Sequence, residues 1–163
     1  MFRWRVYTGN NVSKAVEDGR AGHCSEKSVK LTIDSDHTAM RDLQDQILQD
    51  VVRYGYDSHS QFAIRLALEE GLINAIKHGN RFDPNKKVQV EYNIDTRQLD
   101  IILEDEGPGF ERHGVPDPTL DENVEKCSGR GILLMEAYMD SIEWTRGGRR
   151  VHMIKKNESE PNN

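Results

Sequence analysis

Leu68-Glu69-Glu70-Gly71-Leu72-Ile73-Asn74-Ala75-Ile76-Lys77-His78-Gly79 reads as a helix that carries polar groups where a helix should be dry. With successive residues about 100° apart, Glu70, Asn74 and His78 fall on one flank, shared by Ala63, Ala67 and Gly71. The rest of the circumference is apolar, with Phe62, Ile64, Leu68, Leu72 and Ile76, broken by Arg65, Glu69 and Lys77. A carboxylate and an amide one turn apart, flanked by small residues, leave room for a ligand. A neutral amide oxygen suits Mg²⁺, and a carboxylate supplies a base within reach of the same ligand. The pattern fits equally a solvated helix face with an incidental Glu and Asn.

Two later glycine-rich segments weigh against that plainer reading. Asp105-Glu106-Gly107-Pro108-Gly109-Phe110 follows Leu99–Glu104, which reads as a strand. Its glycines permit a sharp turn and close approach of a flat ligand, and Asp105 is suited to accept a hydrogen bond from an exocyclic amine such as adenine presents. Ser128-Gly129-Arg130-Gly131 leads into the apolar run Ile132–Met139, read as a helix from Gly131 to about Tyr138. Free N–H groups at a helix start favour phosphate. Taken singly, the first fits an acidic turn and the second an ordinary loop-to-helix junction. Neither has the spacing of a Rossmann fingerprint or a Walker A loop.

In this order the three segments resemble the N, G1 and G2 boxes of the superfamily of gyrase, chaperone, histidine-kinase and mismatch-repair ATPases, with its Bergerat ATP-binding fold. They resemble most the small anti-sigma-factor serine kinases of bacterial sporulation and stress pathways. Glu70, Asn74, Ala75, His78 and Gly79 match the first box; Asp105, Gly107, Gly109 and Phe110 match the second; Gly129, Gly131, Leu134 and Met135 match the third. The match runs from about Val29 to Lys155.

The resemblance implies ATP and Mg²⁺ as ligands and serine phosphorylation as the reaction. Asn74 would hold the metal, and Glu70 would be the catalytic base. Asp105 would read adenine, with His78, Gly79, Gly107, Gly109 and Phe110 around the nucleotide; His78 fits a packing or helix-capping role as well. Ser128, Gly129, Arg130, Gly131 and Ile132 would receive the phosphates, Arg130 adding charge, although Ser128 also fits a plain helix cap. The implied partners are an anti-anti-sigma protein of the STAS type as phosphoacceptor, a sigma factor, and a second copy of the chain.

Composition narrows the class. At 163 residues the chain is expected to be one domain with a real core. A net charge of −6 argues against a protein held on nucleic acid by phosphate contacts. Met1–Tyr7 alternates aromatic and basic residues and lacks the apolar stretch of a signal peptide, and no apolar segment approaches a membrane span. Cys24 and Cys127 make no disulfide framework. A cytoplasmic protein is expected.

Along the chain, residues 1–27 read as an arm, 28–156 as the ATP-binding domain and 157–163 as a disordered tail. Val29, Leu31 and Ile33 alternate as in a strand. Asp34–Asp36 supply caps for a helix with the stripe Met40, Leu43, Ile47, Val51 and Tyr54, stopped at Gly55. Asp57–Ser60 cap the next helix. Val88–Ile94 and Leu99–Glu104 form a hairpin, as do Ile142–Thr145 and Arg150–Lys155. The polar stretch 111–126 would be the nucleotide lid. The expected fold is α/β in the α+β sense: a two-layer sandwich in which about three helices cover one face of a mixed, mainly antiparallel sheet.

The lid departs from the family pattern. Related kinases often carry Arg, or Thr then Lys, before the Ser-Gly, where this chain has Glu125-Lys126-Cys127. The principal rival reading is an ATP-binding switch module that acts by partner binding without kinase activity; Glu70 argues against it, because a pure binder needs no base there. A gyrase-type ATPase lacks support in the absence of a following transducer region, and a detached histidine-kinase domain would need an upstream dimerisation helix pair.

Overall fold

The structure, a computed structural model, describes residues 26–109 and 128–159. Strand β1 (Lys27–Asp34) opens it, with Val29, Leu31 and Ile33 on its inner side. Asp36 then caps helix α1 (His37–Arg53), its side chain accepting from the Ala39 N–H at 2.8 Å and so satisfying an orphan donor of the first turn. Leu43, Ile47, Val51 and Tyr54 of the expected stripe are buried. Gly55, at φ +73°, lets the chain leave the helix in the left-handed conformation. Asp57 caps α2 (Ser58–Ile73), accepting from the N–H groups of His59 and Ser60.

Strands β2 (Lys87–Ile94) and β3 (Gln98–Glu104) form the first hairpin. Its turn is held by the Asp95 carboxylate, which accepts from the N–H of Arg97 at 2.6 Å and of Gln98 at 2.8 Å. Helix α3 (Ser128–Tyr138) starts three residues before the expected Gly131. The second hairpin is β4 (Ser141–Thr145) and β5 (Arg150–Lys156), joined by a tight turn at Arg146–Gly148.

The sheet order is β1-β2-β3-β5-β4, and every neighbouring pair is antiparallel. The sheet expected to be mixed and mainly antiparallel is antiparallel in every pair. The crossover through α3 does return β4 parallel to β3, but β5 inserts between them and pairs antiparallel with both. One sheet face packs under the helices: Val88, Val90, Tyr92 and Ile94 from β2, Leu99, Ile101 and Leu103 from β3, Val151 and Met153 from β5. Burying each such aliphatic side chain stabilises the fold by roughly 1.5–3 kcal/mol. The other face carries ion pairs between neighbouring strands, Lys30 with Glu91 at 2.6 Å and Arg150 with Glu104 at 3.0 Å, and a hydrogen bond between His152 Nε2 and Asp100 Oδ1 at 3.1 Å.

Two charged groups enter the core with partners. Asp50 of α1 accepts from the Tyr92 hydroxyl at 2.7 Å and from Lys27 Nζ at 2.5 Å. Lys155, in register with Leu99, is buried and meets Glu158 at 2.6 Å and Asp140 at 3.5 Å. The chain stays attached beyond β5: Asn157 N–H donates to the Arg97 carbonyl, its amide to the Thr96 carbonyl, and the Ser159 hydroxyl to the Gly55 carbonyl. Hydrogen bonding therefore continues three residues past the point where the sequence reading ends the domain. Among the described residues no helix is long and apolar enough to cross a membrane.

Candidate functional site

Helix α2 changes pitch where its polar residues lie. Past Ile73 it winds as a π-turn, Asn74–Gly79, and Asn80 N–H donates to the Ala75 carbonyl five residues back at 2.8 Å. The wider turn breaks the 100° register, and π-turns of this kind often mark functional sites. Glu70 and Asn74 are half-buried, and His78 is exposed. The flanking small residues make no ligand space. Ala63 and Ala67 are buried, and a Cβ on Gly71 would meet Leu103 Cδ1 at 3.0 Å and the Met153 and Met135 methyls at 3.4 and 3.5 Å. They let α2 sit close to the sheet and α3. On the apolar side, Phe62 is in fact 53% exposed and meets Tyr138 of α3 edge-on, with ring centroids 5.6 Å apart.

The three sequence segments nonetheless converge. Glu70 lies against the first turn of α3: a Cβ on Gly131 would stand 2.3 Å from Glu70 Oε2. Asn74, one turn on, donates its amide to Met135 Sδ at 3.8 Å. With the N–H side turned to sulfur, the Oδ1 side is left for another partner, and among the described residues it accepts no hydrogen bond from protein. Burial, with Glu69 alongside, pushes the Glu70 carboxyl above its usual range. Loss of solvent on the side of the imidazole turned to the protein, with the neighbouring Lys77, holds His78 below the ordinary imidazole value although the residue is exposed.

Asp105, at the end of β3, faces the other end of the π-turn. Its carboxylate fills the space above Gly79, where a Cβ would lie 2.5 Å from Oδ1. Oδ1 accepts from Gly107 N–H at 2.7 Å, and Asp105 N–H donates to the Arg149 carbonyl at 3.0 Å. Burial raises the Asp105 carboxyl above its usual range; the Gly107 N–H bond and the Arg149 charge act in the opposite direction without cancelling it. The loop glycines are required by the protein itself. A Cβ on Gly107 would be 2.3 Å from the Gly79 carbonyl oxygen, and one on Gly109 would be 2.1 Å from that of Gly147. The first contact seats the loop on the π-turn; the second seats it on the β4–β5 turn.

Arg130 is exposed on α3, and Ile132 and Met135 are buried. Ser128 and Gly129 form the start of that helix. Phe110, the expected lid at 111–126, Cys127 and Cys24 lie outside the described residues. Trp144 of β4 is partly buried and packs against the core. A residue that the sequence reading passed over joins the site: Asn80, fully buried directly after Gly79. An Asn in a polar stretch before Pro84 gives no local signal of burial.

Glycine Cα atoms pack closely against both carboxylates, Glu70 against Gly131 and Asp105 against Gly79. Among the described residues no group of His, Cys, Asp and Glu gathers to hold a metal by itself, so a cation at Asn74 would need phosphate oxygens to complete its shell.

Comparison with known proteins places the chain in a family. Residues 33–155 match the histidine kinase-like ATPase domain family. Over 98 residues the chain is 37% identical to an anti-sigma F factor of Clostridium perfringens, covering 57% of this chain and 70% of that protein. Over 97 residues it is 30% identical to the serine-protein kinase RsbW of Bacillus licheniformis, covering 55% and 58%. A solved structure of the RsbU and RsbW domains of a Mycobacterium tuberculosis protein shares the fold, with a TM-score of 0.51 at 16% identity, covering 80% of this chain and 32% of that one.

Proposed function

We propose, from the premise that this chain belongs to the histidine kinase-like ATPase domain family, that it is a serine-protein kinase and anti-sigma factor that phosphorylates a STAS-type anti-anti-sigma protein. The observation that supports the reading is the meeting of α2 and the π-turn with α3, Glu70 against Gly131 and Asn74 against Met135. Relatives named for anti-sigma and serine-kinase activity support the same reaction. A sigma factor is the second partner, and a second copy of the chain is the third. The ATP-binding domain spans residues 28–156, with 1–27 as an arm and 157–163 as a tail.

In this reading the serine Oγ of the partner attacks the γ-phosphorus of ATP. The Oγ–P bond forms, the bond from γ-phosphorus to the bridging oxygen breaks, ADP leaves, and the serine proton passes to the Glu70 carboxylate. Bound Mg²⁺ supplies charge neutralisation on the phosphate oxygens. Asn74 Oδ1 would hold the cation, Arg130 and the backbone N–H of Gly129 at the start of α3 would face the phosphates, and Asp105 Oδ2 would accept the adenine amine while Oδ1 stays on Gly107 N–H. Phosphoryl transfer places most of its demand on positioning and electrostatics, which this set of groups supplies.

The test is calorimetric titration with ATP, with and without Mg²⁺, followed by transfer of labelled γ-phosphate to a STAS-domain protein. Magnesium-dependent binding with labelled serine supports the kinase. Binding without transfer would favour the switch module, and absence of ATP binding by folded protein would reject both.

Asp105→Asn separates function from stability. The amide keeps an acceptor for Gly107 N–H but adds a donor next to the adenine amine, so ATP affinity is expected to fall by about tenfold or more. The same change is expected to leave the nucleotide-free protein as stable as the native at pH 7, or more so. Burial raises the native Asp105 carboxyl above its usual range; a carboxyl raised on folding favours the fold below its unfolded pKa and loses that favour as pH rises through the folded pKa. Thermal unfolding should show the variant's relative advantage growing from acid toward neutral pH. A clear loss of stability at pH 7 would contradict the burial argument.

A further inference from the structure

Asn80 has no exposed surface, yet its amide makes three hydrogen bonds to three separate parts of the fold. Nδ2 donates to Ser35 Oγ at 2.9 Å, at the junction of β1 and α1, and to the Lys87 carbonyl at 2.9 Å, at the start of β2. Oδ1 accepts from Glu106 N–H at 2.8 Å, in the loop after β3. Both amide hydrogens are thereby used, and the oxygen is aimed at one peptide. Its two supports are themselves fixed: Ser35 Oγ donates to the Lys86 carbonyl at 2.6 Å, and Lys87 N–H donates to Glu106 Oε2 at 2.6 Å.

The peptide that Asn80 holds is the one that aims Asp105. Asp105 N–H is fixed on Arg149, and the Asp105 carboxylate is fixed on Gly107 N–H and lies against Gly79. The Glu106 N–H belongs to the next peptide plane, on the other side of the Asp105 Cα, and Asn80 holds it. The chain then passes through two successive left-handed residues, Arg81 and Phe82, both at φ +55°. Such conformations persist in non-glycine residues where the surroundings over-determine them; here Phe82 N–H is bound to the Ile76 carbonyl at 2.9 Å and the Asn80 amide to its three partners. Fully satisfied buried polar networks of this kind fix one geometry.

We propose that Asn80 is a positioning residue for base selectivity: through the Glu106 N–H it sets the angle at which Asp105 presents its free carboxylate oxygen to the exocyclic amine of adenine. This rests on the reading of Asp105 as the base-contacting group. The experiment measures Kd for ATP and for ITP, which carries a carbonyl oxygen in place of the amine, by titration calorimetry with Mg²⁺. It compares the native protein with Asn80→Ala and Ser35→Ala. The native protein is expected to prefer ATP by about tenfold or more, since a bond to a charged group is at stake. Asn80→Ala is expected to cut that preference about fivefold with ITP affinity little changed. Ser35→Ala removes one support of the amide and leaves Glu106 untouched, and is expected to cut the preference about twofold. Equal weakening of both nucleotides, with the ratio intact, would reduce Asn80 to a structural residue and overturn the proposal. If Asn80→Ala does not fold, the Ser35→Ala ratio decides, and an unchanged ratio overturns it. A native protein that does not distinguish ATP from ITP would instead remove the base-reading role of Asp105, and the Asn80 proposal with it.

Discussion

Glu70→Gln is expected to bind Mg-ATP within about threefold of the native protein and to transfer phosphate about 10²–10⁴ times more slowly, the range set by loss of a positioned general base. The amide has the shape of the carboxylate and keeps an oxygen over Gly131, so the packing between α2 and α3 survives. What it lacks is the capacity to take the serine proton. The pH profile gives a second reading of the same role. Burial and Glu69 raise the Glu70 carboxyl, and the base works only when ionised, so native activity should fall on its acid side at a pH above the ordinary carboxylate range. In Glu70→Gln that acid limb should vanish from the residual rate. Gly131→Ala approaches the same group sterically: its Cβ would stand 2.3 Å from Oε2 and must displace the carboxylate. It should lower the rate while leaving the chemistry of Glu70 intact. Full phosphotransfer by Glu70→Gln would sink the base assignment and leave Glu70 as a helix-packing residue.

The parts of this protein that could be read in its sequence are those in which a local pattern and the tertiary contact agree. Strand alternation in Val29–Ile33 and Val88–Ile94 is also the burial pattern of β1 and β2. Asp36 and Asp57 cap the helices because a side-chain oxygen before a helix has a nearby donor to meet, whatever the rest of the fold does. The failures share a different cause. Gly71 looked like space beside a ligand, but its missing Cβ is filled by Leu103, Met153 and Met135, residues distant in sequence. The π-turn after Ile73 leaves no mark on a helical wheel, because the apolar residues Ala75 and Ile76 are buried on either pitch. The antiparallel pairing of β5 with β3 depends on which strand inserts beside which, and hairpin signals are local. At the site, the three segments singled out in the sequence do come together: Glu70 lies against Gly131, Asn74 against Met135 and Asp105 against Gly79. The residue that joins the segments, Asn80, was not legible, because its three partners come from Ser35, Lys87 and Glu106 and no spacing in the chain announces them.

Asn74→Ala is expected to remove the magnesium dependence of ATP binding. Without its Oδ1 the cation loses a protein ligand, and affinity in Mg²⁺ should fall by about 30- to 100-fold, the order expected for one contact to a charged group. In EDTA the native protein and the variant should bind ATP almost equally, because adenine contacts through Asp105 do not involve Asn74. The difference between the two conditions is a cycle in which one change is a side chain and the other is the metal, so it isolates their coupling from any general damage to the fold. Met135 provides an internal control. Its sulfur receives the Asn74 amide at 3.8 Å, and Met135→Leu keeps the volume while removing that acceptor. The amide then loses a weak constraint on which end faces outward, and a loss of severalfold in Mg-ATP affinity, well short of the Asn74→Ala effect, is the expected result. Equal losses in Mg²⁺ and in EDTA for Asn74→Ala would show that the amide supports the helix contact alone and that the cation is held elsewhere.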